Sequence, residues 1–97
     1  MKLTDKCKVD FEKWYEPIGN INAIRCYTFY ELPNSMQYGV YVDYFDSVDI
    51  DTEIVKTLMG KFYILINDDR LNDDKFESRP EARTQVIEKA NEIYNTL

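Results

Sequence analysis

The side chains best suited to chemistry in this chain are carboxylates, and their richest cluster is Asp68, Asp69, Asp73 and Asp74 within Asn67–Glu77, NDDRLNDDKFE. Such a set can gather a hard cation through oxygen ligands. The spacing argues against it. A helix–loop–helix calcium site needs alternate ligands, a turn glycine and a distal glutamate in fixed register, whereas Arg70 and Leu71 interrupt this run and it contains no glycine. The segment reads instead as a solvated acidic loop, with Leu71 and Phe76 tucked back as anchors, and as a docking surface for a basic partner. A second pair, Asp43 and Asp46, shares one side of a helix with Ser47. No base or substrate-binding element accompanies it, so the wet face of a helix is the simpler reading. Arg79 and Arg83, four apart at a helix start, stand where the helix dipole disfavours cations. Carboxylate partners in Asp68–Asp74 are expected for them, with recognition of an anionic ligand as the alternative.

What is missing narrows the function further. The chain has no histidine, which removes the commonest general base, the Ser-His and Cys-His nucleophiles and the usual transition-metal ligand. Three glycines form no phosphate-binding loop, and Cys7 and Cys26 have no metal-site spacing. No catalytic residue, cofactor or metal is assigned, and the chain reads as a non-enzyme. The two cysteines are expected as free thiols, because the core is adequate without a bridge. A net charge of −6 makes nucleic-acid backbone an unsuitable partner and a basic protein surface a suitable one. Eight tyrosines are more than a small core can bury with every hydroxyl satisfied, so some are expected at the surface, where tyrosine is a favoured contact residue.

The elements that must position these residues follow from periodicity. With 97 residues, 44% hydrophobic and 14% aromatic, the chain suits one α+β domain over 1–97. Residues 1–8 are polar and expected to fray, and they lack the apolar run of a signal peptide. No stretch reaches membrane-spanning length, so a cytoplasmic protein is expected. Val9–Tyr15 reads as a short helix capped by Asp10, with Val9 stapled onto Trp14 and Pro17 preventing continuation. Ala23–Leu32 alternates as a strand. Ser35–Val48 fits a strand or a helix. The helix is preferred, because it gathers Gly39, Asp43, Asp46 and Ser47 on one side and places Met36, Val40, Tyr44 and Phe45 on the core. Tyr38 and Val42 fall at the margin of that apolar arc: exposed, they make this helix the interface; buried, they leave that role to the acidic loop. Ile50–Met59 is read as a strand joined through Gly60 to the apolar strand Lys61–Ile66, placed centrally in a sheet of about three strands. Ser78-Arg79-Pro80-Glu81 is a capping box with proline in the first turn. It opens a C-terminal helix whose inward stripe is Ala82, Val86, Ala90, Ile93 and Leu97. An antiparallel or mixed sheet packed against the central and C-terminal helices is the expected architecture.

The wording LPNSMQYGVYVDYFDSV at Leu32–Val48, joined to SRPEARTQVIEKANEIYN at Ser78–Asn95, resembles small uncharacterised proteins of bacteriophages and mobile elements of gut Bacteroidetes. Such proteins carry Gly at the helix-to-strand turn where this chain has Asp49. The resemblance attaches no known activity and implies a phage accessory context, in the cytoplasm of the host cell. Joined to the charge, it gives a non-enzymatic accessory protein that binds and modulates a host or anti-phage defence protein. The expected contact residues are Tyr38, Val42, Asp43, Asp46, Asp68, Asp69, Asp73 and Asp74. A virion-associated or self-assembling protein, a homo-oligomer, and a cation or small-ligand binder are the alternatives.

Overall fold

The structure is a computed structural model that describes residues 1–19, 29–70 and 75–97. Among these, helix α1 spans Asp5–Gly19, α2 Asn34–Ser47 and α3 Arg79–Asn95. Strands β1 (Thr52–Lys56), β2 (Phe62–Ile66) and β3 (Asp69–Arg70) form an antiparallel sheet in the order β1-β2-β3. The sheet packs against α3 and, through β1, against α2, so the fold is α+β.

Strand β2, central in the sheet, alternates buried and half-buried residues because successive side chains point to opposite faces and one face packs on the core: Phe62, Ile64 and Ile66 lie there. Its register with β1 runs from Thr52 opposite Ile66 to Lys56 opposite Phe62. Gly60 (φ 81) closes this hairpin, with the Thr57 amide donating to the Lys61 carbonyl at 2.7 Å. Asn67 and Asp68, at φ 53 and 68, form the two-residue turn into β3, where both central positions need the left-handed region that Asn and Asp tolerate. Phe76 pairs with Phe62 beyond it. The expected acidic loop is therefore partly sheet; its residues 71–74, including Asp73 and Asp74, lie outside the described residues.

Several expectations about the helices are corrected. Residues 1–8 are held rather than frayed: Leu3 and Cys7 are buried, and two asparagines of α3 bind the start of α1. Asn91 accepts from the Thr4 amide (2.9 Å) and donates to the Thr4 hydroxyl (3.0 Å). Asn95 accepts from the Cys7 amide (2.8 Å) and donates to the Thr4 carbonyl (3.1 Å). The free amides of a helix N-terminus are thus satisfied by another helix rather than by a local cap, which frees α1 to start at Asp5 instead of Val9. With that start, Cys7, Phe11, Trp14 and Tyr15 share the inward stripe and Val9 turns to solvent, so the staple onto Trp14 does not form. The helix continues through Pro17 to Gly19, where one missing amide near the end is a limited loss.

The strand expected at Ala23–Leu32 lies outside the described residues except at its end, where Phe29 and Tyr30 are helical and the Leu32 amide donates to the Phe29 carbonyl (3.0 Å). Helix α2 forms where expected, but Pro33 stands at its N-cap without a side-chain bond, and its buried face is Gln37, Tyr41, Tyr44 and Phe45. Met36 is exposed and Val40 half-buried, so the face is turned by about one residue from the expected line. Asp49, in place of the Gly that the resemblance implies, adopts φ 64, the conformation glycine favours. At α3 the Ser78 hydroxyl accepts from the Glu81 amide (3.3 Å), as the capping box requires. Leu97 is exposed, because α3 ends at Asn95.

Replacing Asn95 with alanine should cost about 1–2 kcal/mol in denaturant unfolding, since it strips a buried-end acceptor from α1. Hydrogen exchange should show the loss at the Cys7 amide while the Phe62–Ile66 amides keep their protection.

Candidate functional site

The predicted contact residues fall on two elements. On α2, Asp43 and Asp46 are exposed, one turn apart on the outward face, with Met36, Gly39 and Ser47 beside them. Tyr38 and Val42 are both half-buried at the edge of that face. At the β2–β3 turn, Asp68 and Asp69 are exposed, Asp69 as part of β3. Among the described residues no group of three or more carboxylates, cysteines or histidines is placed to hold a metal.

Among the described residues the arginines of α3 meet neither Asp68 nor Asp69 and lie over rings, while Asp73 and Asp74 of the expected set lie outside those residues. Arg79 sits 4.9 Å from the Phe62 ring centre and Arg83 5.5 Å from that of Tyr38. A guanidinium over an aromatic face gains attraction to the ring quadrupole, which offsets the unfavourable dipole. Burial raises the Tyr38 pKa, and the two arginines oppose that rise.

Among the described residues nothing packs against Gly39 that would require a glycine there. A Cβ built there meets nothing within 4 Å, although glycine inside a helix costs about 1 kcal/mol relative to alanine. Beside it, Met36 is 55% exposed. A second exposed feature went unread in the sequence. At the β1–β2 hairpin tip, Leu58 and Met59 are 107% and 84% exposed, on a turn fixed by Gly60 donating to the Thr57 carbonyl (3.1 Å) and Lys61 donating to the Thr57 hydroxyl (3.2 Å). Its signal was a Leu-Met pair just before the turn glycine, where polar residues are usual.

Buried titratable groups gather on the other side of α2. Cys7 is a free thiol with its pKa pushed up to about 12, first by burial and then by Asp10. Tyr41 is likewise raised to about 12 by burial, with Cys7 and Glu12 adding to it. Tyr44 rises through burial and the neighbouring Tyr94 hydroxyl, which itself donates to Asp10 at 2.6 Å and is raised by that bond. Among the described residues the Tyr41 hydroxyl makes no hydrogen bond. Protonated at neutral pH and shielded from solvent, these groups suit packing rather than nucleophilic or acid–base work. A cavity of about 470 Å³ beside the start of α2 is lined by Lys2, Lys8, Tyr30 and Gln37 among others, and the Gln37 amide already donates to the Tyr30 (3.2 Å) and Leu32 (2.8 Å) carbonyls. Comparison with known proteins found no matching family profile, curated protein or solved structure.

Tyr41→Phe removes a buried hydroxyl that has no partner, and stability at pH 7 should stay level or rise by about 1 kcal/mol. Because the folded pKa values of Cys7 and Tyr41 lie above their ordinary values of 9.0 and 10.0, their stabilisation is complete below about pH 9 and is lost as pH climbs toward 12. Urea unfolding at pH 7 and pH 10.5 should show a smaller alkaline loss in Tyr41→Phe than in the wild type.

Proposed function

We propose that this chain is a non-enzymatic accessory protein that binds and modulates another protein, in the phage setting that the resemblance implies a host or anti-phage defence protein. Its contact surface is the outward face of α2: Met36 and Gly39 beside the carboxylates Asp43 and Asp46, with Tyr38 and Val42 at the margin. The observation that carries this reading is Gly39. A helical glycine with open space where a Cβ would stand destabilises the free protein and lets a partner's backbone approach closely. The exposed carboxylates, within a net charge of −6, select a basic partner and speed its encounter. Asp68 and Asp69, exposed at the β2–β3 turn, are a second acidic contact candidate.

Two measurements test it. Tagged protein in host lysate should recover a stoichiometric partner, and Asp43→Lys with Asp46→Lys should reduce its capture by about tenfold or more, with a smaller effect from Asp68→Lys with Asp69→Lys. Equal recovery by wild type and the α2 variant, or no stoichiometric partner at all, would sink the reading. Gly39→Ala should raise stability by about 1 kcal/mol and at the same time weaken binding to the recovered partner. A variant that is more stable and binds equally well shows that Gly39 has no role in docking.

A further inference from the structure

We infer that the β1–β2 hairpin tip docks on the α2 face of a second copy of this chain, an inference that rests on reading that face as a docking surface. The tip is a preorganised apolar projection. Leu58 and Met59 stand fully in solvent on a turn held by the Thr57–Lys61 backbone bond (2.7 Å), so little order is lost when it is covered. Two large apolar side chains at one projecting point, unlike scattered exposed residues, call for a cover.

Charge names that cover. Lys56 and Lys61, both exposed, bracket the tip, one on each face of the hairpin as the strand alternation requires. Lys61 bonds Glu77 at 2.9 Å across an exposed pair that exchanges readily. In a chain of net charge −6, the tip is thus a cationic projection with an apolar end. The bracketing lysines exclude a symmetric contact of tip with tip. The α2 face carries the opposite set: exposed Met36, a notch at Gly39 where an added Cβ would meet nothing within 4 Å, and exposed Asp43 and Asp46. Leu58 and Met59 fit against Met36 in the notch, and the flexible lysine stems reach the two carboxylates. The overall negative charge weighs against an anionic lipid surface as the alternative occupant. Because tip and face are different patches, the contact is heterologous. It closes as a dimer when two copies exchange tips, and otherwise it continues as a chain.

The contact is small, so association is weak and must be read at high concentration. Sedimentation of the purified full chain from about 10 μM to about 1 mM should show concentration-dependent association that weakens as salt is raised. Leu58→Ser with Met59→Ser should weaken it by about tenfold or more, with circular dichroism unchanged because both residues are in solvent. The decisive pair is charge-reversed. A chain with Lys56→Asp and Lys61→Asp, and a chain with Asp43→Lys and Asp46→Lys, should each stay monomeric alone and associate on mixing. A wild type that is monomeric throughout, association that survives the tip variant, or reversed chains that stay monomeric on mixing overturns the inference. A monomeric wild type whose host-partner capture still falls with α2 charge reversal overturns self-docking alone and leaves the proposed function standing. If the tip variant of a monomeric chain instead loses a host protein, or loses binding to anionic phospholipid vesicles, the tip belongs to that occupant and self-docking is wrong.

Discussion

The fold depends on the burial of one ring. Phe11, fully buried, has the rings of Trp14, Tyr15, Phe29, Tyr41 and Tyr44 around it with centres 5.0 to 6.0 Å away. These contacts join α1, the turn before α2, and α2 itself, and Tyr44 reaches on to Tyr94 of α3 at 5.9 Å. Tilted and edge-on geometries dominate, as ring quadrupoles favour. Among the described residues, Phe11 alone meets both buried tyrosines of α2 and the aromatic residues of its own helix. This explains why the face of α2 is turned from the line its aliphatics suggested. Aromatic residues supply more area and more specific contacts than Met36 and Val40, so the helix rotates to give Tyr41, Tyr44 and Phe45 to the core and leaves Met36 in water.

That rotation has a polar consequence. Tyr41 brings its hydroxyl into the core and leaves it without a partner among the described residues, a cost of about 1–3 kcal/mol that ring burial must exceed. Where polar groups could be matched, they were. Gln37, carried inward by the same rotation, closes the carbonyls of Tyr30 and Leu32. Asn91 and Asn95 of α3 secure the start of α1 across a sequence separation of almost the whole chain. The two ends of the chain are therefore one structural unit. This is why a segment that looks like a loose polar leader is ordered.

What was legible in the sequence was local, and what was not was tertiary. The Ser78 cap, the Gly60 hairpin and the strand at Phe62–Ile66 each rest on neighbouring residues, and each forms as periodicity and turn chemistry dictate. The start of α1 depends on asparagines about 90 positions away, so no reading of Val9–Tyr15 alone reveals it. The arginines of α3 illustrate the same limit at a candidate site. Their clash with the dipole was visible and asked for a partner, but Phe62 and Tyr38 became neighbours only through the packing of α3 on the sheet and on α2. Asp43 and Asp46 were legible as an exposed pair because a helix's polar side follows from spacing alone. The relief around them, Met36 outward and open space at Gly39, depended on how far the helix turned.

The same constraint bears on how the surface acquired its shape. A chain that gives its aromatic residues to a central cluster has fewer large apolar groups to show, yet Leu58, Met59 and Met36 remain outside. None of them is needed for a turn or a helix: Thr57 and Gly60 hold the hairpin, and any good helix former suits positions 36 and 39. Folding accounts for the buried hydroxyls, since the rings that carry them are worth burying. It does not account for an apolar hairpin tip or an unfilled helical glycine, both of which make the isolated molecule less stable or less well hydrated than simple substitutions would. Such features stand beside opposite charges here, lysines flanking the tip and carboxylates flanking the helical glycine.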